Sequence, residues 1–162
     1  MKVSIVIGSK TDMELAEAAA EVLKQLDIEC SINVLSAHRM PEYLQGHIKA
    51  TIADGTRVFI GIAGMAAHLA GNIAAHTSLP VIGVPGDGGP LNGLDALLST
   101  VQMPKGVPVA TVAIGKAGAI NAGHLAAQIL SVNDEALQEK IKEARIANKE
   151  QLKSENDELQ GI

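Results

Sequence analysis

Aromatic residues are nearly absent from this chain, which has one Phe, one Tyr and no Trp. Proteins that bind single-stranded nucleic acid stack bases on aromatic side chains, and flavin sites often use such rings too. The formal net charge is −5, and no cluster of Lys and Arg forms the basic face that nucleic-acid-binding proteins carry. These absences disfavour nucleic-acid and flavin binding, and they favour an acidic protein that acts on a small molecule.

Cysteine and long hydrophobic runs are scarce as well. The single cysteine, Cys30, excludes an internal disulfide and fits a reducing cytoplasm. We predict that it is buried in a strand and unreactive. Gly, Pro or charge interrupts every apolar run before it reaches the roughly 18–20 residues that span a bilayer. Strand-like residues directly follow Met1, so we expect no signal peptide and predict a cytoplasmic protein without a membrane partner.

The chain does have a large apolar fraction, 47% of 162 residues, which is enough for one well-packed domain over residues 1–162. Short β-rich runs alternate with helical patterns, which is typical of βαβ units and a parallel sheet. The predicted strands are residues 3–7, 29–35, 57–62, 80–84 and 109–114, and the predicted helices are residues 12–26, 41–53, 65–76, 93–101 and 117–130. The fourth and fifth strands are so apolar that we expect both of their faces to be buried.

The tail, residues 131–162, differs from the α/β core over residues 1–130. Residues 134–159 form a charged helical pattern with a thin apolar stripe at Leu137, Ile141, Ala144 and Ile146 or Ala147. A stripe this narrow buries little surface by itself. The helix therefore packs across a subunit boundary or along the flank of the domain, or it is a solvated and frayed helix.

Residues 8–12 follow the first strand and precede the first helix, a setting that suits an anion. Thr11 and Glu14 have the spacing of a capping box, and Asp12 lies in the first helical turn, so a purely structural role can explain them. That role does not explain Gly8 and Ser9, because a glycine lets backbone approach a ligand and a serine adds a hydroxyl beside free helix amides. In the functional interpretation this turn holds phosphate and Asp12 holds a ribose hydroxyl.

Residues 36–39 form a second turn of the same kind, directly before Met40-Pro41, where a helix opens. In open parallel sheets, ligands bind in the crevice beyond the carboxyl ends of the strands. Arg39 can bind phosphate with charge-assisted hydrogen bonds, and His38 is the residue type that gains and loses a proton most readily near physiological pH. The alternative for His38 is an ordinary hydrogen-bonding surface group.

Residues 61–69 follow the third strand and are rich in Gly and Ala. A wall without large side chains lets a flat ring lie against backbone, although tight helix–sheet packing requires the same residues. His68 either lines the pocket or caps the following helix. The loop at residues 86–90 after the fourth strand either closes over the site or is an ordinary turn.

The other candidates carry little chemistry. His47, His76 and His124 lie on predicted helices, where we expect surface or packing roles. No histidines and carboxylates have metal-ligand spacing, so we expect no metal, and no serine lies in a Gly-x-Ser-x-Gly elbow.

Several segments together resemble the N5-carboxyaminoimidazole ribonucleotide mutases of purine biosynthesis. The resemblance covers residues 3 to 130 and is carried by residues 8–12, 36–39, 63–69, 93–104 and 106–119, with Asn121 and residues 126–130 beyond them. It implies a three-layer flavodoxin-like (Rossmann-type) fold with an extra C-terminal helix, assembled as a homo-octamer in which that helix reaches a neighbouring subunit. It also implies a cofactor-free enzyme whose partner is a small-molecule nucleotide.

The resemblance also assigns expected roles to individual residues. His38 matches the general acid/base, while Ser9, Asp12 and Arg39 match positions that hold ribose and phosphate, beside Gly8 and Thr11 of the same turn. The walls around the ring and the migrating carboxylate match Ser36, Ala37, Gly64, Ala66, His68 and Leu69.

Some positions depart from the family pattern. The family usually has glycine where Met65 stands and proline where Ala70 stands, and its loop differs at residues 86–92. A sister class that carboxylates aminoimidazole ribonucleotide directly has lysine in place of Arg39 and Arg-Ser-Asn in place of residues 65–67. The sequence therefore favours the mutase, with the direct carboxylase and a non-catalytic nucleotide-binding module as alternatives.

Overall fold

Five parallel strands form a single sheet in the computed structural model, which describes residues 1–161. The strands are β1 (Lys2–Ile7), β2 (Glu29–Val34), β3 (Thr56–Ala63), β4 (Val81–Pro85) and β5 (Ala110–Thr111), in the spatial order β2-β1-β3-β4-β5. This is the doubly wound order of flavodoxin-like folds, in which ligands bind where the winding reverses, between β1 and β3. The predicted fold class is confirmed.

Helices cover both faces of the sheet. The helices of the core are α1 (Met13–Gln25), α2 (Pro41–Ala53), α3 (Leu69–Ala75), α4 (Leu94–Val101) and α5 (Gly115–Ser131). One apolar cluster joins α1 and α5 to one face of β1, β3 and β4. A second cluster joins α2 and α3 to the opposite face, around Phe59. The inner strands β1, β3 and β4 are covered on both faces, and they are accordingly rich in Val and Ile.

The last helix, α6 (Glu135–Gln160), leaves the core after its first two turns. Asp134 caps it by accepting a hydrogen bond from the backbone N–H of Leu137 at 3.0 Å. Leu137 is buried and Ile141 packs against the core, whereas Ile146 and Leu152 are more than half exposed. Among residues 1–161, no helix is long and apolar enough to span a membrane.

The fifth strand is shorter and more exposed than predicted. Only Ala110 and Thr111 pair with β4, opposite Ile82 and Gly83, and Ala110 is exposed. The prediction of a strand buried on both faces over residues 109–114 was wrong, because this strand lies at the edge of the sheet and has a neighbour on one side only.

The third helix begins at Leu69, four residues later than predicted. Met65 has a positive φ of 57°, which an α-helix cannot accommodate. Residues 64–68 therefore form a bend, in which the N–H of Ala67 donates to the carbonyl of Met65 at 2.8 Å.

Glycine lets two helices lie directly on the sheet. A Cβ added to Gly61 would be 3.0 Å from the Cα of Ala70 in α3, and one added to Gly83 would be 2.4 Å from Cγ2 of Thr100 in α4. The tight packing expected around residues 61–69 is therefore present beside the pocket that the next subsection describes.

Candidate active site

A cavity of about 600 Å³ opens beyond the carboxyl ends of β1, β2 and β3. This volume is typical of sites for small molecules, and the position is the crevice expected for this sheet order. Every residue that the sequence predicted for the site lines this cavity: Gly8, Ser9, Thr11, Asp12, Ser36, Ala37, His38, Arg39, Gly64, Ala66, His68 and Leu69. The three predicted turns thus converge, although their ligand-binding roles stay predictions.

The first turn is a short 3₁₀ helix, Lys10–Asp12, whose cap is Ser9. The N–H of Thr11 donates to the Ser9 hydroxyl at 3.4 Å, and the N–H of Ser9 donates to Oδ2 of Asp12 at 3.2 Å. The capping box is therefore Ser9 with Asp12, and the predicted pairing of Thr11 with Glu14 was wrong. The reason is that one 3₁₀ turn precedes α1 and moves the cap toward the strand.

The carboxyl group of Asp12 is partly sheltered from water. Burial raises its pKa above the ordinary value of 3.8, and the nearby negative charge of Asp87 raises it further, while the hydrogen bond from Ser9 acts in the opposite direction. A half-buried carboxylate beside a backbone amide is suited to accept hydrogen bonds from the hydroxyl groups of a ligand.

Arg39 connects the second turn to the first. Its Nη2 donates to the carbonyl of Gly8 at 2.9 Å, and its Nε donates to the hydroxyl of Ser36 at 3.2 Å. Ser36 is buried, and it also accepts the backbone N–H of Arg39 at 3.3 Å. Because both side-chain acceptors are neutral oxygen atoms, these bonds orient the guanidinium without cancelling its charge. The geometry suits the binding of an anion.

The second turn also positions His38, whose ring contacts that of His68. The ring centroids are 3.9 Å apart and the planes are inclined by 51°. Burial lowers the pKa of His68 below 6.5, and the neighbouring His38 lowers it further. A hydrogen bond with the backbone of Ala66 raises this pKa and so acts in the opposite direction. His68 occupies the N-cap position of α3, but its side chain makes no capping hydrogen bond. Of its two predicted roles, the structure supports lining the pocket.

Four further residues line the cavity: Ala63 and Met65 belong to the predicted small-residue segment after β3, and Gly88 and Gly89 belong to the loop after β4. The N–H of Gly86 donates to the carbonyl of Ala63 at 2.8 Å, so the loop after β4 continues the pairing of the sheet toward the cavity. This loop lies on the ligand side of the sheet, as its place after the fourth strand predicts, and its closure over a ligand stays a prediction.

The remaining candidates lie elsewhere. The ring of His47 is hydrogen-bonded to Ser4 through Nε2 at 2.9 Å, and Nδ1 of His76 lies 2.8 Å from the carbonyl of Asn72. Cys30 is only partly buried, not buried as predicted, because it lies on the edge strand β2; burial nevertheless raises the pKa of its thiol. Within residues 1–161, no three His, Cys, Asp or Glu side chains converge in a way that would hold a metal ion.

Known proteins resemble this chain over nearly its whole length. The family model described as AIR carboxylase matches residues 2–151. The N5-carboxyaminoimidazole ribonucleotide mutase of Bacillus subtilis is 49% identical over 157 residues, with 97% of each chain covered. The same-named protein of Saccharolobus solfataricus is 53% identical over 141 residues, covering 87% of this chain and 88% of that one. The crystal structure of Treponema denticola PurE superposes with a TM-score of 0.87 at 30% identity, covering 98% of each chain. The chain therefore belongs to the AIR carboxylase family.

Proposed function

We propose that this protein is an N5-carboxyaminoimidazole ribonucleotide mutase of purine biosynthesis, an enzyme that moves a carboxylate from N5 to C4 of the imidazole. Relatives of about 50% identity carry that name over 90% or more of this chain. The observation that carries the proposal is the cavity itself, where the contacting rings of His38 and His68 lie beside the oriented guanidinium of Arg39.

The phosphate end of the substrate binds at the first two turns in this proposal. Arg39 supplies a charge-assisted hydrogen bond, and the hydroxyl of Ser9 lies beside backbone amides at the start of a helical segment, a setting that attracts phosphate. Asp12 accepts hydrogen bonds from the ribose hydroxyls. The partial burial of Asp12 supports this role. Burial leaves its carboxylate with fewer water molecules as hydrogen-bond donors, and the hydroxyl groups of a ligand can donate in their place.

The imidazole ring lies against the small residues after β3. Ala63, Gly64 and Ala66 leave room for a flat ring and the adjacent carboxylate, and the buried Leu69 makes the floor apolar. An apolar wall suits carbon dioxide, which is neutral and lacks hydrogen-bond donors. The alternative roles of these residues in packing are compatible with this one.

The reaction proceeds by decarboxylation and recarboxylation without a cofactor. The bond between N5 and the carboxylate carbon breaks and carbon dioxide leaves, while His38 supplies the proton that converts the carbamate nitrogen to an amine. The electron-rich C4 then attacks carbon dioxide and forms the new carbon–carbon bond. His38 accepts the proton that C4 releases, so that the ring regains aromaticity and His38 returns to its initial state.

Two physical effects supply the rate. Proton transfer by a positioned side chain contributes about 10²–10⁴-fold. Confinement of carbon dioxide beside C4 replaces a bimolecular step by an effectively intramolecular one. The second effect requires that carbon dioxide stay in the cavity until C4 captures it.

A comparison of two substrates tests the proposal. Purified protein is given either N5-carboxyaminoimidazole ribonucleotide or aminoimidazole ribonucleotide with bicarbonate, and formation of the 4-carboxy product is followed by absorbance. Rapid conversion of the carbamate, independent of added bicarbonate, is expected. If only aminoimidazole ribonucleotide with bicarbonate is converted, the protein is a direct carboxylase. If nucleotide binds and neither substrate is converted, the protein is a non-catalytic module.

We also propose a homo-octamer in the cytoplasm. An exposed apolar stripe consists of Leu91, which precedes α4, and of Leu94, Leu98 and Val101 within α4; each is about half exposed. The outer part of α6 lacks an intramolecular partner over much of its length. An exposed apolar stripe such as the one at α4 is typical of sites where proteins associate.

A further inference from the structure

Met65 has an unusual backbone conformation at the mouth of the cavity. Its φ of 57° lies in the left-handed region, which Gly adopts freely and other L-residues adopt at a cost. Its side chain is 60% exposed, so burial in the core does not offset that cost. Strained residues of this kind cluster at functional sites.

The side chain of Met65 lies between the cavity and the loop after β4. It lines the cavity together with His38, His68 and Gly64. On the other side, a Cβ added to Gly89 would be 3.2 Å from Cγ of Met65. Gly89 itself has a φ of 92°, so both partners of this contact have left-handed backbone.

We propose that the side chain of Met65 closes one side of the cavity. In this position it holds the released carbon dioxide beside the acceptor carbon and excludes water. This inference rests on the proposed function. A thioether side chain is apolar, unbranched and adaptable, so it can cover an opening without offering a hydrogen bond to water. Members of the family usually have glycine at this position, but their loop differs from residues 86–92 here, which bring Gly88 and Gly89 to the cavity. In this chain, a glycine at residue 65 would relieve the backbone and leave the opening between Gly64 and Gly89 uncovered.

The proposal makes the fate of the carboxylate depend on residue 65. If Met65 retains carbon dioxide, its loss lets the gas exchange with the solution before C4 captures it. The products then include free aminoimidazole ribonucleotide, and the carboxylate of the 4-carboxy product comes partly from dissolved bicarbonate.

The experiment uses substrate labelled with ¹⁴C in the carbamate carboxylate, in unlabelled bicarbonate with carbonic anhydrase. The label retained in the 4-carboxy product is measured after subtraction of an enzyme-free blank. We compare the wild-type protein with Met65→Gly, Met65→Asn and Met65→Leu. Asn also tolerates left-handed backbone but is short and polar, whereas Leu keeps an apolar side chain of similar volume.

We expect Met65→Gly and Met65→Asn to lose at least several times more label per turnover than the wild type, and Met65→Leu to retain most of it. The unfolding temperature of Met65→Gly should equal or exceed that of the wild type, because glycine suits this φ. Equal retention in all four proteins, or complete loss already in the wild type, overturns the inference. No formation of the 4-carboxy product by the wild type instead overturns the proposed function.

Discussion

His38 and Arg39 are adjacent in the sequence, but the structure positions their side chains by different means. Two hydrogen bonds to neutral oxygen atoms fix the guanidinium of Arg39. The ring of His38 instead lies against the ring of His68, and burial lowers the pKa of His68, which favours its neutral form. A neutral neighbour avoids the repulsion that a second imidazolium would impose on a proton-carrying ring.

Replacement of His38 should separate binding from catalysis. His38→Asn keeps a polar side chain of moderate size but cannot exchange a proton near neutral pH. We expect nucleotide affinity near that of the wild type and turnover reduced by about 10²–10⁴-fold, measured by calorimetric titration and by the absorbance assay. His76→Asn, outside the cavity, is the matched control. Near-normal turnover of His38→Asn would end the assignment of His38 as acid/base.

Replacement of Arg39 should weaken binding. A hydrogen bond to a charged group contributes about 1.5–3 kcal/mol, which corresponds to roughly a 10–150-fold increase in Kd for the nucleotide. Arg39→Ala is compared with Arg57→Ala, whose exposed guanidinium binds a backbone carbonyl at the start of β3. An unchanged Kd for Arg39→Ala removes this residue from the phosphate site.

Glycines let helices pack closely on the sheet. Replacing a glycine should have opposite effects on stability in different elements. Gly83 lies in β4, where an added Cβ would be 2.4 Å from Thr100 and 2.9 Å from Val109. Gly46 lies within α2, and nothing lies within 4 Å of an added Cβ there. The effect of a methyl group therefore depends on the layer that contacts the glycine.

This contrast gives a paired prediction for stability. Gly83→Ala should lower the free energy of unfolding by about 1–3 kcal/mol through overpacking. Gly46→Ala should raise it by about 0.5–1 kcal/mol, because glycine is unfavourable within a helix. Urea denaturation measures both variants, and a destabilised Gly46→Ala would show that this face of α2 is covered in the assembled protein.

His47 makes stability depend on pH. Burial lowers its pKa below 6.5, so the unfolded chain binds the proton more readily than the folded chain, and the stabilising contribution present above pH 6.5 is lost as the pH falls. We expect the unfolding free energy of the wild type to fall between pH 7 and 5.5 and that of His47→Gln to fall less, since Gln can still contact Ser4. Parallel pH profiles in urea would contradict this expectation.

The periodicity of the chain predicted most elements, because alternating β-rich runs and helical patterns dominate it. The periodicity predicted the wrong start for α3 and the wrong burial for β5, because a single backbone conformation decides the first and the number of neighbouring strands decides the second. The positive φ of Met65 delays α3, and the position of β5 at an edge of the sheet leaves Ala110 exposed. The site was predictable because strand ends meet at one edge of the sheet, whereas the contact of Met65 with Gly89 depends on how a later loop folds back.

The whole molecule leaves apolar surface uncovered along α4, where Leu94 and Leu98 are each about half exposed. In an assembly this stripe would be buried against another subunit. A charge placed on it should therefore be tolerated by the folded chain but not by the interface.

Leu98→Glu should therefore reduce the size of the particle. Sedimentation velocity at micromolar concentration should show a large oligomer for the wild type and smaller species for Leu98→Glu, with circular dichroism unchanged. Val132→Glu adds the same charge at an exposed apolar residue outside the stripe. If both variants sediment like the wild type, α4 is not an interface.

The chain order of the elements has a consequence for synthesis on the ribosome. Most of the cavity wall comes from residues 8–69, whereas α5, which shares an apolar cluster with α1, ends at Ser131. In a nascent chain, most of the cavity-lining residues therefore emerge long before α5 can cover the apolar face of β1 and β3 that it packs against. We expect that ribosome-bound chains stalled before residue 115 bind chaperones, and that release from them coincides with emergence of α5 from the exit tunnel.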